Sequence, residues 1–166
     1  MNTDNSTREY YIHLKESESR MNTHEVRVSL ETAKMLQKAG FDWECEYAIL
    51  PTTEMGNTPY RYNQGITNNY NDKEKYPFEI YSAPSITDVQ RWLKTNHNIH
   101  VEVNLTLGPS PDTVYMDDYT YRIITANLKS DIGQIEYPLH GGFSDFDEAL
   151  HAGIKQALEI ILKQGE

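Results

Sequence analysis

The chain is expected to fold as an α+β protein: an antiparallel meander of about three to five strands packed on two or three helices, with a long irregular loop at 51–77. Three observations carry this expectation. Near the C-terminus, Phe146, Leu150, Ile154, Ala157, Leu158 and Ile161 fall on one helical stripe, with Glu148, Lys155, Glu159 and Lys163 on the other side. In the middle, Ile99, Val101, Val103, Leu105 and Leu107 alternate with His100, Glu102, Asn104 and Thr106, the period of a half-buried strand. Between such segments lie runs rich in Gly, Pro and Asn, which punctuate rather than continue elements. Residues 1–24 read as a polar N-terminal tail, although Tyr10-Tyr11-Ile12-His13-Leu14 has strand character. Residues 25–166 read as a single domain, whose only sub-boundary would fall in the 51–77 loop.

Taken in order, Val26 and Val28 alternate with polar neighbours and predict a short strand. Ser29 then caps a helix over 30–39, in which Leu30, Ala33 and Leu36 recur, and Gly40 occupies the left-handed stop position. Phe41, Trp43, Cys45, Tyr47 and Ile49 alternate with Asp42, Glu44, Glu46 and Ala48, which predicts a strand with the first set buried and the second in water. Residues 78–81 read as a short strand. Ser85 caps the next helix with Asp88 three residues on, Ile86, Val89 and Leu93 share a face with Trp92 beside them, and Asn96 and Asn98 end it. After the 99–107 strand, the Gly108-to-Asp112 run is a turn, and strands are expected near 119–128 and 132–139. Gly141-Gly142 is expected to turn the chain, Ser144 to cap the last helix over 145–163, and Gly153 to allow close packing of that helix on the sheet.

The formal charge of −10, spread over both halves, leaves no Lys/Arg cluster to displace counterions from a phosphate backbone, so direct nucleic-acid binding is not expected. The order helix, three strands, helix over 85–163 is that of the double-stranded RNA-binding domain, but that module grips phosphate at a basic start of its second helix. Here the start is Ser144-Asp145-Phe146-Asp147-Glu148, which would repel it. The one cysteine, Cys45, rules out an intramolecular disulfide and fits a reducing compartment. No apolar run approaches the roughly 20 residues of a membrane span, and the polar residues 1–7 have no signal-peptide character, so a cytoplasmic location without membrane contact is expected.

No P-loop, GxGxxG, GxSxG, CxxC or HExxH pattern is present, so no catalytic residue, cofactor or metal ligand is assigned. His97 and His100 straddle a helix–strand junction, and Cys45 is expected on a buried strand face as an inert thiol. The acid pairs Asp117-Asp118 and Asp145-Asp147 lack calcium-loop spacing. The candidate binding residues are Tyr60, Arg61 and Tyr62, because Tyr and Arg anchor interfaces and long loops carry function; the competing reading folds the loop back with its rings covering the domain.

Three segments together carry a resemblance: Leu36-Gln37-Lys38-Ala39-Gly40-Phe41-Asp42; Tyr81-Ser82-Ala83-Pro84-Ser85 leading to Trp92-Leu93 and Ile99; and the Asp147-Glu148-Ala149-Leu150-His151-Ala152-Gly153-Ile154 run. Over about a third of the chain, this pattern resembles small uncharacterised proteins of phages, prophages and mobile elements of Bacteroides-type gut bacteria. The resemblance implies a genomic setting and no mechanism. The expectation is therefore a non-enzymatic accessory protein that binds another protein or itself. The alternatives are an acidic mimic of nucleic acid, charged by Glu44, Glu46, Asp145 and Asp147, and a small enzyme or ligand binder with its site near 51–77.

Overall fold

The computed structural model describes residues 25–52, 56–62, 66–106, 118–125, 135–136 and 140–165, and the expected N-terminal tail and 108–112 turn lie outside them. Helix α1 (Leu30–Lys38) begins where the Ser29 side chain accepts a hydrogen bond from the Thr32 N–H. It ends in a Schellman motif: Gly40 N–H donates to Gln37 O, Phe41 N–H donates to Leu36 O, and Gly40 takes φ +84°. Helix α2 (Ile86–His97) starts at Ser85, whose hydroxyl donates to the Asp88 carboxylate at 2.8 Å and accepts from its N–H at 3.1 Å. It stops at Asn98, one of the few residue types that tolerates the observed φ of 54°.

Helix α3 (Phe146–Gln164) is capped by Asp145, which accepts the Glu148 N–H at 2.7 Å, rather than by Ser144. The shift of one residue lets Ser144 donate its N–H and hydroxyl to the Glu148 carboxylate, so both side chains of the first turn are satisfied. Phe146, expected on the buried stripe, does not share its burial. Phe146 is 47% exposed and meets only the edge of Tyr119, whereas Leu150, Ile154, Ala157 and Leu158 are buried.

Two antiparallel sheets complete the α+β fold. The first has the order β2-β1-β3, from β1 (Tyr47–Ile49), β2 (Tyr60–Arg61) and β3 (Tyr81–Ser82). The second pairs β4 (Ile99–Thr106) with β5 (Asp118–Thr125) over their full length, while β6 (Ile135–Glu136) and β7 (His140–Phe143) share the other edge of β5. One face of the β4–β5 pair carries Ile99, Val101, Tyr121 and Ile123, all buried; the other is closed by Glu102 and Arg122, directly opposed and ion-paired at 2.6 Å. Helix α3 packs on the apolar face and on both other helices. Gly153 makes the close approach possible: a Cβ there would lie 2.5 Å from Val101 Cγ1 and 3.1 Å from the Tyr121 ring.

Three further expectations are corrected. The strand expected from Phe41 is regular only over Tyr47–Ile49, because the chain bends at Glu46 after a lone bridge from Cys45 to Asn68. The bend breaks the alternation, so Ala48, expected in water, is buried alongside Ile49 and Leu50. The 78–81 strand is displaced to Tyr81–Ser82, leaving Phe78 exposed. Gly141-Gly142 is strand rather than turn: Thr120 faces Gly141 and Tyr119 faces Phe143, so Gly142, at φ +92°, is the extra residue of a β-bulge. The described residues of the 51–77 segment form the expected long irregular loop, interrupted by β2 and the Asn68 bridge.

The segment from 66 to 77 is held by polar groups that its composition made look solvent-bound. Asn71 donates to Phe41 O and accepts from Ser82 N–H, and Tyr70 N–H donates to the Ser82 hydroxyl. The Tyr70 ring is fully buried, with its hydroxyl donating to Ile66 O at 3.0 Å. Separately, Thr32 bonds His151 Nε2 at 2.9 Å, and Lys155 pairs with Glu31 at 2.8 Å, so α1 is tied to α3 by polar as well as apolar contacts.

Candidate functional site

The bridge of Arg27 to Ser85, flanked by Val28 N–H donating to Pro84 O, turns Val28 into the core and Arg27 to the opposite side. There the Arg27 guanidinium lies 3.5 Å from the centroid of the Tyr47 ring. Nη2 donates to Glu25 at 2.9 Å and Nη1 to Ala83 O at 3.3 Å, so the side chain, 19% exposed, is fixed on three sides. Strand pairing sets Arg61 directly across from Tyr47, with its guanidinium 5.7 Å from the same ring and 3.3 Å from the Glu46 carboxylate. Unlike Arg27, it is largely exposed and can change partner.

These groups line an open cleft of about 780 Å³, within the size range of ligand sites. Phe41, Trp43, Cys45 and Tyr47 contribute its apolar surface; Glu25, Glu44, Glu46 and Asp88 stand with the two arginines around it. Glu44 accepts from the Thr67 hydroxyl, and among the described residues no cation lies within ion-pair distance of it. Cys45 is buried, and burial above all pushes its thiol up to about 12, with Asp88 adding to the rise while Ser82 and Arg27 oppose it. Such a group is protonated at neutral pH and is no nucleophile. Among the described lining residues there is no histidine, lysine or serine to start acyl or phosphoryl transfer. The arrangement is chemically suited to recognition.

The three residues singled out from sequence are divided between two faces. Arg61 lines the cleft; Tyr60 and Tyr62 point to the other face, where their rings meet edge-on at 6.0 Å. Tyr62, Tyr70, Tyr76 and Phe78 continue the row at 5.5, 5.4 and 6.1 Å, so this part of the loop covers the domain with its rings. Burial raises the Tyr60 and Tyr70 hydroxyls above the usual tyrosine value. Arg27, Trp43 and Tyr47 were missed as site residues. The alternation that buries Val26 and Val28 was the available signal for Arg27; nothing local signals that it meets Tyr47, twenty residues on.

The histidines disperse. His97 meets Trp92 edge-on at 4.6 Å with its pKa lowered by burial, His100 lies 3.7 Å from Glu102, and His151 is bonded to Thr32. Among the described residues no group of three or more His, Cys, Asp or Glu is placed to hold a metal ion. The acids at the start of α3 are engaged as Asp145 capping and Glu148 accepting from Ser144. No described helix is long and apolar enough to cross a membrane. Compared with family models, curated proteins and solved structures, the chain matches none.

Proposed function

We propose that this chain is a non-enzymatic accessory protein, of the kind carried by mobile elements, that works by binding another protein through the Arg27–Tyr47–Arg61 cleft. The observation that carries the reading is the stacked Arg27: a guanidinium held on an aromatic ring by Glu25 and Ala83 O at the wall of an open cleft. A fixed cation–π pair beside a movable arginine and a half-buried tryptophan has the composition of an interface anchor. The described lining residues also offer no histidine or activated thiol for catalysis.

The test is affinity capture from a lysate of the source cell with three immobilised chains. One is unaltered. One carries Arg61→Glu with Glu44→Lys, which reverses two of the cleft's charges and preserves the net charge. One carries Glu159→Lys with Lys163→Glu on the last helix. The reading expects a partner held stoichiometrically by the first and third and lost at least about tenfold by the second. A partner held equally by all three, or a chain that captures nothing and runs as a monomer on sizing, overturns it.

A further inference from the structure

We infer that the cleft accepts a basic side chain, arginine or lysine, of its protein partner; this rests on the proposed binding role of the same cleft. Charge balance is the first ground. The cleft carries four carboxylates, from Glu25, Glu44, Glu46 and Asp88, against two guanidiniums. Its cations are engaged from within: Arg27 by Glu25 and the Tyr47 ring, Arg61 by Glu46. Its carboxylates are not all engaged, since Glu44 has only the Thr67 hydroxyl, a neutral donor. An anionic ligand would have to strip Arg27 or Arg61 from its partner, and, with Asp88 paired to Arg91 at 3.5 Å, would still face the Glu44 carboxylate. A cationic one meets an unpaired carboxylate.

The second ground is the aromatic surface beside that carboxylate. Trp43 is half-buried, packs against Phe41 at 6.3 Å between centroids, and contributes to the cleft lining next to Glu44. An indole face is the strongest aromatic partner for a cation. A carboxylate nearby supplies the charge-assisted hydrogen bond that fixes the head group. The Arg27–Tyr47 pair shows the same combination satisfied within the chain: guanidinium on ring, carboxylate at 2.9 Å. Trp43 and Glu44 bring the same two group types to the cleft wall, and among the described residues no cation is paired with Glu44.

The test uses the full chain and three peptides free of aromatic residues: acetyl-Gly-Arg-Arg-Gly-amide, its Lys-Lys counterpart and its Glu-Glu counterpart. Binding is followed by tryptophan fluorescence, which reports Trp43, because the other tryptophan, Trp92, is only 1% exposed. Saturable quenching by the basic peptides below about 10 mM is expected. It should weaken at least about tenfold in Glu44→Lys, and weaken again as ionic strength rises past the point where the Debye length is about 3 Å. The Glu-Glu peptide should not bind. Preferential binding of the Glu-Glu peptide would overturn the inference while leaving the cleft a binding site. Absence of saturable binding by either basic peptide, or binding unaltered by Glu44→Lys in a chain of native circular dichroism, would overturn it whatever the capture experiment shows.

Discussion

Replacing Gly153 by alanine sets two effects of known size against each other. In an open helix the change would stabilise by about 1 kcal/mol, the ordinary helix-propensity difference between the two residues. Here the new Cβ would sit 2.5 Å from Val101 Cγ1 and 3.1 Å from Tyr121 Cδ2. Neither neighbour yields easily, since Val101 is a fully buried β-branched residue in β4, and the Tyr121 hydroxyl is held by Gln156 at 2.8 Å. Separating α3 from the sheet by the missing ångström is an overpacking change of about 1–3 kcal/mol. The clash should win, and Gly153→Ala should lose about 1 kcal/mol net. Urea unfolding followed by far-UV circular dichroism measures this as a lower midpoint at constant slope. The decisive version is a double-mutant cycle: after Val101→Ala has removed the obstructing methyl, Gly153→Ala should become neutral or stabilising, a coupling of about 1–3 kcal/mol. If Gly153→Ala stabilises the otherwise unaltered chain by about 1 kcal/mol, or the two changes simply add, α3 does not pack on β4 and β5 as described.

Three further expectations follow from burial and charge. Ile154, fully buried on the inner face of α3, should not tolerate Ile154→Asp, because an unpaired carboxylate in the core costs more than about 4 kcal/mol and would leave the chain unfolded by circular dichroism; a soluble variant with unchanged melting would refute the placement. Burial lowers the pKa of both His97 and His151 below the usual 6.5, with Lys155 lowering and Glu31 raising that of His151. Protonation therefore favours the unfolded chain, so their contribution is intact above about pH 6.5 and is lost as pH falls through the folded-state values. The melting temperature should drop between about pH 7 and 5.5, by less in the His97→Gln/His151→Gln variant, and an equal drop in both proteins would contradict this. Cys45, at about 12, should have a thiolate fraction on the order of 10⁻⁴ at pH 8 and resist thiol reagents until the chain unfolds; rapid labelling of the native protein would show that it is not buried.

The parts of the fold that sequence made legible are those written in local chemistry. Ser29, Ser85 with Asp88, and Gly40 mark helix ends because each acts on backbone groups within a few residues. The stripe of α3 and the alternation of β4 follow from one buried face each, and Gly153 was legible as a small residue inside an apolar stripe. What was misread depends on distant partners. The alternation from Phe41 to Ile49 gives no sign of the bend at Glu46, which separates a bridge to Asn68 from the pairing with β2 and β3, all of them distant partners. Tyr70 lies in an Asn-rich run that reads as surface, yet Ser82 of β3 accepts its N–H and donates its own N–H to the neighbouring Asn71 side chain. Gly141-Gly142 has turn composition, but the pairing of β7 with β5 makes it a bulge. Of the cleft, Arg61 was named through its Tyr-Arg-Tyr setting, and Glu44 and Glu46 only as charges of the mimic reading; the Tyr47–Arg61 register that builds the site is a tertiary fact.

The central claim is that the partner occupies the cleft beside Trp43. The chain has two tryptophans, one half-buried at the cleft and one in the core, so 5-fluorotryptophan labelling should give two fluorine resonances, assigned by Trp43→Phe. On titration with the captured partner, the Trp43 resonance should shift saturably at one equivalent while that of Trp92 stays near its place. Binding of the partner with the Trp43 resonance unmoved would contradict the account.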